Sequence, residues 1–189
     1  PPVGDEVSAA NVRPALLPVE NASYAWLISW TDQAAPKALN YLLQNEVNVS
    51  TSFKPFSAQV KGQKMQFGYG SLLIPVADQS KTPDELWTLI KNASALAGIE
   101  VYAVSTGRSP EGSDLGSRNF RPVEKPKVAM LAGEGISSSE VGEIWYLLDN
   151  FVGLPITKVD VVDVDNLNLY DYNTLILASG NYRMDDKAI

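Results

Sequence analysis

Apolar positions along this chain fall into two kinds of pattern, short continuous or alternating runs and sets at helical spacing, and the two follow each other in turn. Residues 24–30, Tyr24-Ala25-Trp26-Leu27-Ile28-Ser29-Trp30, form a nearly unbroken apolar and aromatic run, which predicts a strand buried on both faces. Thr31 or Asp32 then offers a helix N-cap, with Pro36 tolerated in the first turn, where amides lack intrahelical partners. Ala35, Ala38, Leu39, Leu42 and Leu43 recur at helical spacing, so one face of that helix belongs to a core. Residues 47–53 alternate as a strand does, 60–67 read as a hairpin around Lys61-Gly62-Gln63, and 71–76 as a further strand. Thr82-Pro83-Asp84-Glu85 combines an N-cap Thr, a proline at the first helical position and a glutamate at the third, a capping box. The helix it opens carries Leu86, Leu89, Ile90, Ala93 and Ala97 inward, ends at Gly98, and is followed by a strand at 100–104.

Residues 105–126 are polar and punctuated by Gly and Pro, and read as a linker or an interfacial loop. A buried strand at 127–132, a helix over about 140–152 ending at Gly153, and strands at 156–161 and 174–178 come next. In that helix Val141, Ile144, Trp145, Leu148 and Val152 line the expected inner face. The pattern predicts an N-terminal arm, 1–23, and two α/β lobes with mainly parallel sheets, 24–104 and 127–189. The second reads as the beginning of a flavodoxin-like doubly wound fold. Residues 183–189 have the composition of a first helical turn, which predicts a truncated second lobe and a piece of a longer protein. On that reading the strands 127–132 and 174–178 lack a covering layer, which the first lobe, in preference to a second copy of the chain, is expected to supply.

Composition narrows the function classes. The 189 residues are 45% hydrophobic, enough for a buried core, and carry 15 Lys+Arg against 22 Asp+Glu, a net charge of -7. The acidic balance, scattered along the chain, argues against nucleic-acid partners. No apolar run approaches the roughly 18 residues of a membrane span. There is no Cys and no His, which excludes thiol nucleophiles, Ser-His-Asp triads, disulfides and zinc sites built on imidazole or thiolate. No catalytic residue and no metal ligand is therefore assigned.

Several phrases carry a resemblance. The segments Tyr24–Asp32, Ala35-Pro36-Lys37-Ala38-Leu39, Lys54-Pro55-Phe56, Gly70–Val76 and Gly112-Ser113-Asp114-Leu115-Gly116-Ser117 resemble the non-catalytic region that follows the peptidase domain in bacterial zinc carboxypeptidase-like proteins. Lys127-Val128-Ala129-Met130-Leu131, Gly142-Glu143-Ile144-Trp145-Tyr146 and Tyr170–Leu177 are similar to the start of the glutamine amidotransferase-like domain placed next in such chains. The resemblance implies a parent metallopeptidase with zinc in an upstream peptidase domain, which would be the partner of this segment, and export to the periplasm or beyond. It implies no cofactor within the segment itself. A homodimer is a further possible association.

Three local features invite a sharper reading. Gly133-Glu134-Gly135 between a strand and a helix is a partial dinucleotide fingerprint, with Ser138 at the third glycine position and Asp160 or Asp163 as the acidic ribose partner. Gly133, Gly135, Ser137 and Ser138 are the candidate ligand-binding residues of this alternative, a small-ligand or anion-binding domain. The plainer alternative is a strand-to-helix turn with Ser137, Ser138 or Ser139 as N-cap and Glu140 closing a box on Ser137. Asp160, Asp163, Asp165 and Asp171 form an acidic patch without the glycine and terminal glutamate of a calcium loop, so they read as solvated loop carboxylates. Asp114 reads as an organiser of the turn around Gly112 and Gly116, and Trp26, Trp30 and Trp145 as buried, with Trp87 one residue off the apolar stripe.

Overall fold

The computed structural model describes residues 17–182. In chain order its elements are β1 (Ala25–Ile28), α1 (Ala35–Gln44), β2 (Ser50–Ser52), β3 (Phe56–Val60), β4 (Gln63–Phe67), β5 (Leu72–Pro75), α2 (Pro83–Ala97) and β6 (Tyr102–Val104). There follow β7 (Phe120–Pro122), β8 (Val128–Ala132), α3 (Ser138–Trp145), β9 (Ile156–Asp160) and β10 (Thr174–Leu177). Five strands form one sheet in the order β6-β1-β5-β2-β7, and every neighbouring pair in it is antiparallel. β3 and β4 form a separate antiparallel hairpin, and β10-β8-β9 a parallel sheet of three strands.

The expectation of mainly parallel sheets is therefore wrong, and with it the assignment of the whole chain to two parallel α/β lobes. The cause lies in what a β-α-β rhythm leaves open. β1 and β2, joined through α1, do run the same way, but β5 lies between them and pairs antiparallel with both. β5 and β6, joined through α2, are likewise separated by β1. Two interlocked split β-α-β units of this kind make the ferredoxin-like arrangement, here with the β3-β4 hairpin inserted between its halves and β7 added at the edge. β7 comes from the segment expected as a linker, 105–126, which also supplies Leu115 to the core.

The unbroken apolar run of β1 reports two-sided burial, and the antiparallel sheet provides it. Trp26 and Ile28 pack with Leu72, Ile74 and the inner faces of α1 and α2, while Ala25 and Leu27 pack with Leu73, Val104 and the hairpin residues Phe56, Ala58, Val60 and Phe67. The Phe56 and Phe67 rings stack at 5.2 Å, and Phe120 meets Phe56 edge-on at 5.0 Å. The hairpin turns through Lys61 and Gly62, both at positive φ (51° and 78°), the backbone of a tight two-residue turn that matches strand twist.

The helices start and stop where local chemistry allows. In α2 the Thr82 hydroxyl accepts from the Glu85 amide while the Glu85 carboxylate accepts from the Thr82 amide at 2.9 Å, and Gly98 closes the helix in the left-handed conformation at φ 69°. α1 has no such cap on Ala34. Asp32 instead accepts from the Ala34 amide at 2.9 Å. The loop after β6 is pinned to the hairpin. The Ser57 amide donates to the Glu111 carbonyl at 2.8 Å and the Glu111 amide to Ser57 Oγ at 2.9 Å, Ser109 Oγ donates to the Ser57 carbonyl at 2.7 Å, and Asp114 accepts from the Ser109 amide at 2.7 Å. Gly112, at φ 85°, lies so close to β3 that an added Cβ would come 2.5 Å from the Pro55 carbonyl oxygen.

In the second sheet β8 is central and its Val128, Ala129, Met130 and Leu131 are buried. α3 continues into a π-helical turn, Tyr146–Val152, ended by Gly153 at φ 76°. None of the expected inward residues of this helix is fully buried. The Asn40 amide of α1 donates to the Gly153 carbonyl at 2.7 Å and ties the two sheets' layers together there. β10 takes no part in this contact: Leu175 and Leu177 stay 44% and 52% exposed, so the first lobe does not cover the strand as expected.

Removing the α2 cap with Thr82→Ala should cost about 1 kcal/mol in urea unfolding at neutral pH. Hydrogen bonds from Thr82 hold the Glu85 carboxyl below its usual range, so its stabilisation is present at neutral pH and is lost as pH falls through that lowered value. The variant keeps the backbone amide, the larger cause, and loses only the hydroxyl, so this acid-side dependence is expected to weaken without disappearing. Gly112→Ala, which combines positive φ with a backbone clash, is expected to cost roughly 2 kcal/mol or more.

Candidate functional site

The turn between β8 and α3 brings three of the four candidate ligand residues into a defined geometry. Gly133 has φ 114° and Gly135 φ 85°, conformations that side chains resist. At Gly133 a Cβ would lie 2.4 Å from the Asp160 carboxylate, so the loop rests directly on the end of β9. Of the two acidic residues considered as ribose partners, Asp160 and Asp163, Asp160 lies against this loop, but its Oδ1 already accepts from the Val162 amide at 3.2 Å and caps the 3-10 turn Val161–Asn166.

Ser137 is the N-cap of α3, its hydroxyl accepting from the Glu140 amide at 3.5 Å and lying 3.2 Å from the Ser139 hydroxyl. Ser138 is the first residue of the helix. The reciprocal half of the expected capping box is absent: the Glu140 carboxylate reaches across to the Ser179 amide at 2.8 Å. That hydrogen bond holds the Glu140 carboxyl below its ordinary range. Burial, with Glu140 adding a smaller push, raises the nearby Tyr182 hydroxyl, which donates to the Ala178 carbonyl.

The segment after β10 completes the site, and sequence reasoning missed it. The Ser137 amide donates to Ser179 O at 2.8 Å and the Asn181 amide to Gly135 O at 2.9 Å. Gly180 permits the approach, since a Cβ there would meet Gly135 O and Ile136 Cα, each at 2.8 Å. The available signal was Ser179-Gly180-Asn181 directly after a strand, where a glycine marks close passage of another backbone. Between these segments lies a cleft of about 290 Å³ lined by Glu134, Gly135, Val161, Val162 and Asn181.

Electrostatics sets what this cleft accepts. The helix start and open glycine amides favour an anion, yet Glu134 lines the cleft and the Asp160 carboxylate abuts its loop. Like charge at contact distance opposes a phosphate more strongly than one helix end attracts it. Among the described residues there is no group of three or more Asp, Glu, His or Cys placed to hold a metal ion, and no helix long and apolar enough to cross a membrane.

The tryptophans divide differently from expectation. Trp26 is fully buried and its indole N–H donates to Glu20 O at 2.9 Å. Trp30 is 39% exposed, because its ring lies over the Gly70 backbone at the rim of the sheet. Trp145 is only half-buried, with the Lys158 ammonium 4.4 Å above its ring. Trp87 packs against the first core, its indole donating to Val19 O at 3.3 Å. The Tyr102 hydroxyl is pushed up to about 12 by burial and by donation to Glu100 at 2.7 Å, so it stays neutral in the fold.

No protein-family model matches the chain, and no curated protein or solved structure is significantly similar to it.

Gly133→Ala is expected to destabilise by roughly 1–3 kcal/mol, from its φ and its clash with the carboxylate. In an Asp160→Ala background the same change should cost less, because the clashing oxygens are gone. Equal costs in both backgrounds, measured by urea unfolding, would show that the loop does not rest on Asp160.

Proposed function

We propose that this chain is a non-catalytic accessory segment that docks on other protein surface, and that its parent is a zinc carboxypeptidase-like protein in which the peptidase domain lies upstream. The observation that carries the docking half is the distribution of apolar surface. Tyr146, Leu147 and Phe151 on the π-helical turn and Leu175 and Leu177 on β10 are all exposed on the second unit. In the first unit the sheet itself is covered by helices on one face and by the hairpin on the other, and its exposed apolar groups, Phe53, Tyr69 and Leu96 among them, lie outside the five sheet strands. Large exposed apolar groups in this number favour a contact surface over a catalytic one. The non-catalytic half is supported by the absence of His and Cys from the sequence and by the internal pairing of Ser57, Ser109 and Asp114 in the loop after β6.

The parentage is supported by the resemblance of the sequence phrases and by nothing else. In that setting zinc and the hydrolytic groups belong to the upstream domain, and this segment shapes access to it. A second reading, a small ligand held at Gly133, Gly135, Ser137 and Ser138, is favoured by the cleft beside that loop. The surrounding carboxylates make a neutral or cationic ligand the better fit.

Two measurements separate these readings. The purified chain is expected to contain no stoichiometric zinc by elemental analysis and to release no residue from a panel of C-terminal peptide substrates. One tightly bound transition metal per chain would overturn the accessory reading. A thermal-shift screen of nucleotides, sugar phosphates and neutral nucleosides tests the second, since a specific ligand raises the melting temperature by linkage. The upstream reading frame, inspected for a His-x-x-Glu zinc pair, decides the parentage.

A further inference from the structure

We propose that the end of the first sheet around Phe53 is a docking surface for an acidic stretch of polypeptide, held by Lys54, Arg118 and Arg121 and by the Phe53 and Tyr69 rings. This surface lies on the first unit, whereas the apolar groups of the docking reading lie on the second. The proposal is independent of that reading and of the peptidase parentage.

The chain distributes its acidic residues unevenly here. Of its 22 Asp+Glu, none falls between Val47 and Ala77, the stretch that forms β2 to β5, and none between Leu115 and Val123, which includes β7. The fold joins these two acid-free segments. β2 pairs with β7, and beyond the pairing of Ser52 with Phe120 the Phe53 amide donates to Asn119 O at 2.8 Å. Lys54, which follows Phe53, and Arg118, which precedes Asn119, therefore come to the same end of the sheet, and both are exposed. The Gly70 amide donates to Ser52 O at 2.8 Å, which sets Tyr69 beside Phe53.

Like charges on neighbouring strand ends repel, and these three have no acidic neighbour to offset them. Among the described residues none of Lys54, Arg118 and Arg121 forms an ion pair, whereas Lys61, Lys64 and Lys81 pair with Glu20, Glu111 and Glu46. The Arg121 guanidinium lies 4.4 Å from the Phe53 ring centre, a contact that positions its fork over an aromatic face and leaves the charge unbalanced. The acids closest to the patch in sequence are engaged or set apart. Asp114 accepts from the Ser109 amide, Asp32 from the Ala34 amide, and Glu124 lies past Pro122, outside the pairing with β2.

Charge complementarity names the occupant. An arginine fork grips a carboxylate through two parallel hydrogen bonds, and arginine clusters that read acidic motifs are a recurring mode of peptide recognition. Phe53 and Tyr69, 49% and 69% exposed, offer ring faces to apolar side chains interspersed with those carboxylates. The rest of the chain decides against a long polyanion. Its formal net charge is -7, so a nucleic-acid strand running past the patch meets repulsion. A short acidic segment meets the patch alone, because charges beyond about 8 Å are screened at physiological ionic strength. The face is small, so the contact is expected to be weak and sensitive to salt.

Fluorescence anisotropy on the intact chain tests this with three labelled probes at low salt: a peptide alternating Glu and Leu, the same peptide with Gln for Glu, and a single-stranded oligonucleotide. The Glu peptide is expected to bind, to weaken as salt rises, and to exceed both other probes. Arg118→Glu and Arg121→Glu should each weaken it by about tenfold. Lys91→Glu, the same charge change on α2, should weaken it by no more than about twofold. Amide shift mapping on the unmodified chain should place the Glu peptide at Phe53, Lys54, Tyr69, Arg118 and Arg121, and decides alone if a variant does not fold. The proposal is overturned by a Glu peptide that does not bind, by equal binding of the Gln peptide, by equal losses in all three variants, or by shifts confined to other residues. Tighter binding of the oligonucleotide would overturn it in favour of a nucleic-acid partner.

Discussion

The four residues of β1 are pressed between two apolar layers of different origin, and the first unit is organised around that strand. Trp26 and Ile28 require a covering layer on one side and Ala25 and Leu27 on the other, and all four are at most 1% exposed. Two helices meet the first demand, since both cross the same face of the sheet. A hairpin inserted in the connection between β2 and β5 meets the second. Each large side chain so buried contributes about 1.5–3 kcal/mol relative to exposure. The loop after β6 and strand β7 are drawn in by the same layer, through Leu115 and Phe120, and are not a free tether.

The second unit shows what happens when that constraint is only half met. β8 is buried, but β9 and β10 are edges, and the helix that follows β8 gives up α-geometry for a π-helical turn before Gly153. Its link to the first unit is polar and local, the Asn40 amide on the Gly153 carbonyl. What holds its upper end is a set of backbone hydrogen bonds between the β8-α3 loop and the segment after β10, made possible by Gly135 and Gly180. The glycines that resembled a phosphate cradle therefore have a structural duty: they let two loops lie against each other and against Asp160.

Much of the local structure was legible in the chain. The capping box at Thr82, the Gly98 stop, a hairpin turn within Lys61-Gly62-Gln63 and a serine cap among Ser137, Ser138 and Ser139 all depend on residues within a few positions of one another, whereas Asp114, expected at the turn around Gly112 and Gly116, bonds the Ser109 amide. The candidate site was legible in part for the same reason: the approach of Asp160 to Gly133 follows from a strand end and a loop that parallel pairing places side by side. Glu140 was misread because its partner, Ser179, is 39 positions away. Trp30 was misread because a rim position and a central one look alike in an apolar run.

By itself, then, the sequence determined the start and stop of α2, the burial of β1 and β8, and that no imidazole or thiol chemistry is present. These follow from periodicity, capping geometry and composition, which act over short distances or none. Strand direction and neighbour order were decided only in three dimensions. A both-face apolar strand is satisfied equally by a parallel sheet between helices and by an antiparallel sheet between helices and a hairpin. Only the insertion of β5 between β1 and β2, and of β1 between β5 and β6, selected the second, through contacts between residues distant in the chain.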